Sequence, residues 1–221
     1  MKHGTRWSLV TVITVVSAVV FSVATAVVAT AHPAAGPNLI TNGGADAGPG
    51  VLNASTVSAK MPGWTRTPGF TAVKYAAGGG FPDAAIGGPI GGKANFFAGG
   101  PNAATSSATQ VVKVTRYKVP IDAGQRVATL TAHLGGYAGH GDSMSVTATF
   151  LSEAGKKLGV LKIGPVTVAE RQQVTAMIQK SASKPVPKKT RSIQVKIAAK
   201  RVVPSYNDGY ADNVSLTLAA P

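Results

Sequence analysis

Asn38-Leu39-Ile40-Thr41-Asn42-Gly43-Gly44-Ala45-Asp46, taken together with Tyr206-Asn207-Asp208-Gly209-Tyr210-Ala211-Asp212-Asn213-Val214-Ser215-Leu216-Thr217-Leu218, decides the fold of this chain. Each stretch couples an apolar run to a turn rich in Asn, Asp and Gly, residues whose backbone and side chains favour tight turns. In the second stretch Val214, Leu216 and Leu218 alternate with Ser215 and Thr217. That period of two sends one face of a strand into a core and the other into water. The pair predicts an all-β protein whose first and last strands lie side by side.

The same period recurs between them. Ala128, Leu130, Ala132 and Leu134 form one buried set, Val146, Ala148 and Phe150 a second, and Ile193, Val195 and Ile197 a third. Their neighbours on the other phase are mostly Thr, Ser, Lys, Gln and His, as in antiparallel sheets with one wet face. Ser152-Glu153-Ala154-Gly155-Lys156-Lys157 reads as a hairpin between Met144–Leu151 and Leu158–Ile163, and Asp122-Ala123-Gly124 as a turn before the next strand. Residues 76–105, rich in Gly, Pro and Ala, read as long loops around a short strand at Ala94–Ala98. Residues 181–189, with two prolines and three lysines, read as an exposed loop. No helix is legible after residue 37. The fold class expected is an antiparallel β-sandwich of jelly-roll form, preceded by an N-terminal apolar signal helix.

That leader is read from Lys2, His3 and Arg6, followed by an uncharged apolar run from Leu9 to Ala29 and by the small-x-small stretch Ala29-Thr30-Ala31. The division expected is a signal peptide at residues 1–31, a short linker at 32–37 and one β-sandwich domain at 38–221. Secretion is the expected destination; an uncleaved N-terminal helix serving as a membrane anchor is the alternative, since the run is long enough to span about 30 Å. No second run of that kind exists, which excludes a multi-span membrane protein. With no cysteine there is no disulfide, no thiol catalysis and no lipid-bearing residue. The chain carries +14; setting aside Lys2 and Arg6 lowers its 22 basic residues to 20 against 8 acidic ones, a balance of +12. Such a field attracts polyanions. Nucleic acid is not expected as a specific ligand, because no basic helix interleaved with aromatics is present to stack bases.

At the terminal motifs the chain resembles the galactose-binding-like jelly rolls, in particular carbohydrate-binding modules of the family 4/9 and 22 type. Asn38–Asp46, Gly63-Trp64 and Tyr210–Leu216 stand where those modules carry their opening strand, their Gly-Trp strand and their closing strand. The resemblance spans roughly residues 38 to 218. It implies a structural calcium held at the two ends of the domain, with Asp46 and Asp212 as side-chain ligands and a backbone carbonyl from Asn42 or Gly43. Two residues depart from the pattern: Asp46 stands where Glu is usual, and Asn213 where a second Asp is common. The alternative for Asp46 and Asp212 is turn capping.

Sugar recognition needs exposed aromatic faces beside polar side chains. Tyr137, Trp64, Tyr75, Phe81 and Tyr206 are the aromatic candidates, with Asn207 and Asp208 among the polar ones; Trp64, entering a strand after Pro62-Gly63, suits a core better than a platform. Tyr137 lies in a glycine-rich loop with little to pack on. Catalysis has little to stand on. No nucleophile elbow accompanies His140 and Asp142, no histidine cluster suits zinc, and a facing carboxylate pair could come only from Asp83, Asp142 and Asp208. The function expected is a secreted, non-catalytic carbohydrate-binding-like module, monomeric, whose partner is an extracellular or cell-wall polysaccharide, anionic ones included. A secreted structural or protein-interaction sandwich without a sugar site, and a small glycan-active enzyme, are the alternatives.

Overall fold

The computed structural model describes Met1 and residues 36–203 and 205–221. The expected signal peptide, its helix and most of the expected linker lie outside the described residues. The alternating segments form ten strands: β1 (Thr65–Arg66), β2 (Thr71–Lys74), β3 (Asn95–Pro101), β4 (Thr105–Lys113), β5 (Val127–Gly136), β6 (Ser143–Leu151), β7 (Lys157–Ile163), β8 (Ala176–Pro185), β9 (Ser192–Lys200) and β10 (Tyr206–Ala219). They make two five-stranded sheets, ordered β1-β4-β9-β6-β7 and β2-β3-β10-β5-β8. All ladder pairs are antiparallel.

The main core holds the predicted inward sets. Leu130, Leu134, Val146, Phe150, Ile193, Ile197, Val214 and Leu216 are all buried in it, joined by Trp64, Phe70 and Phe97. Each such side chain contributes about 1.5–3 kcal/mol on leaving water. The opening segment runs along β10. Leu39 N–H donates to Leu216 O at 2.8 Å and Val214 N–H to Gly43 O at 2.9 Å. Asn38 completes the seam with both side-chain atoms: its Nδ2 donates to Val214 O at 3.2 Å, and its Oδ1 accepts from Leu216 N–H at 3.0 Å.

A second, mostly aromatic cluster lies on the other face of the second sheet. Phe96, Ala98, Val73 and Tyr210 point away from the main core and are covered by Tyr75 and Phe81, with Ile86 and Ile90 packed alongside. Strand β3 is therefore buried on both faces, and its sequence shows no alternation.

The structure differs from the sequence reading in three places. Short helices exist: α1 (Ala84–Gly87), capped by Asp83, whose carboxylate accepts from Ala85 and Ile86 N–H, and α2 (Lys118–Asp122). Neither is long enough to display a 3.6-residue period. Residues 181–185, expected in a loop, continue β8, with Ser181 opposite Thr131 and Pro185 opposite Val127. The strand expected at Ala94–Ala98 reaches Pro101.

Candidate functional site

Three segments meet at one end of the second sheet: the loop leaving β5, the start of β10, and the turn at Gly79–Phe81. Between them lies an open recess of about 260 Å³, lined by Tyr137, His140, Ser205, Tyr206, Asp208 and Tyr210 together with Phe81 and its neighbours. Gly80, at φ 89°, lies so close to Tyr137 that a β-carbon there would sit 2.6 Å from the ring. The His140 ring meets Tyr137 edge-on at 4.9 Å. On the far side Tyr206 packs edge-on against Phe81 at 5.2 Å.

Asp208 supplies the polar centre. Its Oδ1 accepts from the Tyr210 hydroxyl at 2.7 Å, and its Oδ2 lies 3.3 Å from His140 Nδ1. Burial raises the Asp208 carboxyl above its ordinary range, partly offset by the bonds from Tyr210 and His140. Burial and then the Asp208 carboxylate keep the Tyr210 hydroxyl firmly protonated. The Tyr206 hydroxyl is buried and has no partner among the described residues. A buried donor left unmade costs about 1–3 kcal/mol.

Two residues that sequence reasoning did not assign to the site hold these loops in place. Arg171 is fully buried, and its guanidinium donates to Gly136 O, Ala138 O and Val174 O through Nη1 and to His140 O through Nη2, at 2.7–3.0 Å. It thus pins the Tyr137–His140 loop by its backbone. Arg171 is positioned by the turn before it, where Thr167 and Glu170 bond reciprocally in the manner of a capping box. Asp142 does the same for the opposite wall, accepting from Val202, Val203 and Asp208 N–H at 2.6–2.9 Å. The partner of His140 is therefore Asp208, not Asp142. With Asp142 engaged by three backbone donors and Asp83 capping α1, Asp208 is the one carboxylate lining the recess among the described residues. Glycoside hydrolysis by the two-carboxylate route needs a facing pair.

Of the expected sugar contacts, the structure gathers Tyr137, Phe81, Tyr206 and Asp208 and withdraws three others. Trp64 is 8 % exposed, packs edge-on against Phe97 at 5.5 Å and donates through Nε1 to Asn42 O. Tyr75 is buried against Phe96. Asn207 is fully buried at the β10 bulge, its Oδ1 accepting from Gly209 N–H. None of the three offers a face to a ligand. The signal that could have led to Arg171 is the Thr-x-x-Glu pattern just ahead of it; nothing local marks Asp142, whose partners are 60 or more residues away.

The terminal motifs meet at a separate place. A β-carbon on Gly44 would sit 2.6 Å from Asp46 Oδ2 and 3.2 Å from Asp212 Oδ1, so both carboxylates look onto one point. Asp46 Oδ1 accepts from Ala94 and Asn95 N–H, Asp212 Oδ2 from the Tyr75 hydroxyl at 2.6 Å, and Asp212 Oδ1 from Asn213 N–H. No ammonium or guanidinium bonds to either acid among the described residues. Burial pushes the Asp212 carboxyl up to about 7, against the pull of the Tyr75 and Asn213 bonds and with help from Asp46. No third acid or histidine joins the pair among the described residues. The Asn42 carbonyl already accepts from Trp64 and Ala45, which engages both its lone pairs, whereas that of Gly43 accepts from Val214 alone and keeps one to spare. An acid pair without a cationic partner, with Gly43 lining the same recess as Asp46, is a donor set that suits a hard cation.

No family model matches the chain, and no curated protein matches it. Among solved structures, 79 chains match. A family 16 carbohydrate-binding module is 19% identical at a TM-score of 0.48, covering 81% of this chain and 99% of its own. A family 61 module solved with beta-1,4-galactotriose is 13% identical at 0.45, covering 81% and 97%. The enzymatically active domain of tailspike protein 4 from bacteriophage CBA120 is 13% identical at 0.47; the match covers 83% of this chain but only 21% of the tailspike chain. These are likenesses of outline at low identity, and what this chain binds has to be argued from its own side chains.

Proposed function

We propose that this chain is an exported, non-catalytic jelly-roll module that binds carbohydrate in the Tyr137–Asp208 recess and carries a structural calcium between Asp46 and Asp212. The observation that carries the reading is the recess itself: the half-buried rings of Tyr137 and Tyr206, an imidazole and a single carboxylate. Sugars offer apolar C–H faces to such rings and hydroxyls to such acceptors. The lone carboxylate supports binding over hydrolysis. For the ion, the support is the like-charged pair at Gly44, which a cation would relieve. Calcium there would join the opening segment to β10, and an excess of chelator would lower the melting temperature.

The experiment is a titration of the full chain against a panel of neutral oligosaccharides, galactose- and xylose-based ones included, followed by Tyr137→Ala on any that bind. The expected result is a loss of at least about tenfold in affinity, the scale of one lost stacking contact. Unchanged affinity in the variant would remove the recess as the sugar site. No binding across the panel would instead favour a structural or protein-interaction role for the sandwich.

A further inference from the structure

The outward face of the β1-β4-β9-β6-β7 sheet is a separate surface, built from different residues. Ladder pairing fixes which side chains share it. Lys196 on β9 lies opposite Thr109 on β4 and Thr147 on β6, and Thr147 lies opposite Lys162 on β7. One row of this face therefore reads Thr, Lys, Thr, Lys across four strands. Two rows along, Lys200 lies between Thr105 and Ser143. Lys162, Lys196 and Lys200 are all exposed, and they line a groove of about 500 Å³ with Ser107, Ser143 and Ser145 between them.

None of the three ammonium groups has an acidic partner among the described residues; the ion pairs are His140–Asp208, Lys180–Glu170 and Arg191–Asp122. No Asp or Glu lines the groove. Strand geometry sets the spacing. Lys162 and Lys196 are two strands apart, about 10 Å, and Lys196 and Lys200 four residues apart along one strand, about 13 Å. A row of positive charges at that interval, with serine and threonine hydroxyls in the gaps, complements a polymer that alternates anionic groups with hydroxyl-bearing rings. Aromatic side chains, which stacked bases require, are missing from the groove lining.

We propose that this lysine groove is a second binding site, for a strand of acidic polysaccharide. It is independent of the recess at Tyr137, and the two readings fail separately. Each ammonium pairs with a carboxylate or sulfate of the polymer while the hydroxyls bridge to sugar hydroxyls. The groove thus places part of the chain's excess positive charge where a linear polymer can lie along it.

The test uses the full chain with polygalacturonate, dextran sulfate, uncharged dextran and single-stranded DNA as probes. Binding of polygalacturonate or dextran sulfate, absent for dextran, is expected at about 0.02 M salt and is expected to weaken steeply towards about 0.3 M as screening shortens the field. Lys162→Gln, Lys196→Gln and Lys200→Gln combined should lower affinity about tenfold, as three lost charge pairs of ordinary surface strength would. The comparison protein loses the same net charge elsewhere, through Lys156→Gln, Lys188→Gln and Lys189→Gln, and should stay within about twofold. Equal losses in the two triple variants would overturn the site and leave only diffuse charge. DNA binding as tightly as the acidic polysaccharides through the same three lysines would overturn the ligand class. Tyr137→Ala should leave this binding untouched.

Discussion

Arg171 shows what a single residue does here. Four carbonyls of the Tyr137–His140 loop and its flank converge on one guanidinium in a buried place. Only a planar fork can serve so many acceptors at once. Arg171→Met would leave those carbonyls without partners and should cost at least about 3 kcal/mol in chemical denaturation. Arg171→Lys should recover only part, and amide exchange in residues 136–140 should quicken in both. A loss below about 1 kcal/mol for Arg171→Met would mean the loop is held by something else. At this scale the sequence was half legible. Tyr137 stood out because glycines left its ring nothing local to pack on, and Asp208 because it sat in a polar turn. Tyr75 misled, and Trp64 was left between core and platform, because an aromatic beside a turn looks the same whether its ring faces water or a core across the sandwich. Arg171 gave no cue of chemistry and Asp142 gave the wrong one, as a neighbour of His140, since the partners of both are backbone groups that only the fold brings near.

Strands declared themselves wherever one face was wet. The sets in β5, β6, β9 and β10 are buried as their alternation requires. Strand β3 was legible only in part, at Ala94–Ala98, because both its faces are covered and no alternation marks its reach to Pro101, and the outer part of β8 hid because it is an edge whose side chains are mostly Ser, Lys and Pro. Such residues blunt an edge against further pairing, and in sequence they are those of a loop. The opening segment is held tightly against its neighbour. A β-carbon at Gly43 would meet Val214 O at 2.1 Å, and one at Gly36 would meet Leu218 O at 2.4 Å, both backbone atoms with nowhere to go. Gly43→Ala should therefore cost about 2–4 kcal/mol. Gly78→Ala meets nothing within 4 Å but sits at φ 68°, so it should cost only about 1–2 kcal/mol. Equal melting temperatures for the two variants would contradict the close seam between the opening segment and β10.

For the molecule as a whole, the seam between its two ends runs through a buried acid, and that makes stability depend on pH. Asp212 is 0 % exposed and titrates near 7 when folded, against 3.8 ordinarily. Between about pH 4 and 7 the unfolded chain has lost this proton while the folded chain still holds it, so the folded state binds more protons and stability falls as pH rises. Glu170, held near 2 mainly by Lys180, and Asp122, lowered mainly by Arg191, have the opposite sign, but their gain is complete by about pH 5. Asp208, also raised by burial, adds a decline of the same sign, and His133, lowered by burial, adds a smaller rise below about pH 6.5, so the difference between the native chain and Asp212→Asn isolates Asp212. In chelator the native chain should lose melting temperature from pH 5 to 7, and Asp212→Asn should lose less. At the proposed site calcium would compete with that proton for the same oxygens. It should therefore raise the native melting temperature more at pH 7 than at pH 5 and do little for Asp212→Asn. Parallel pH curves for the two proteins in chelator would show that Asp212 is already ionised in the fold; an equal calcium response in both would show that the ion binds elsewhere.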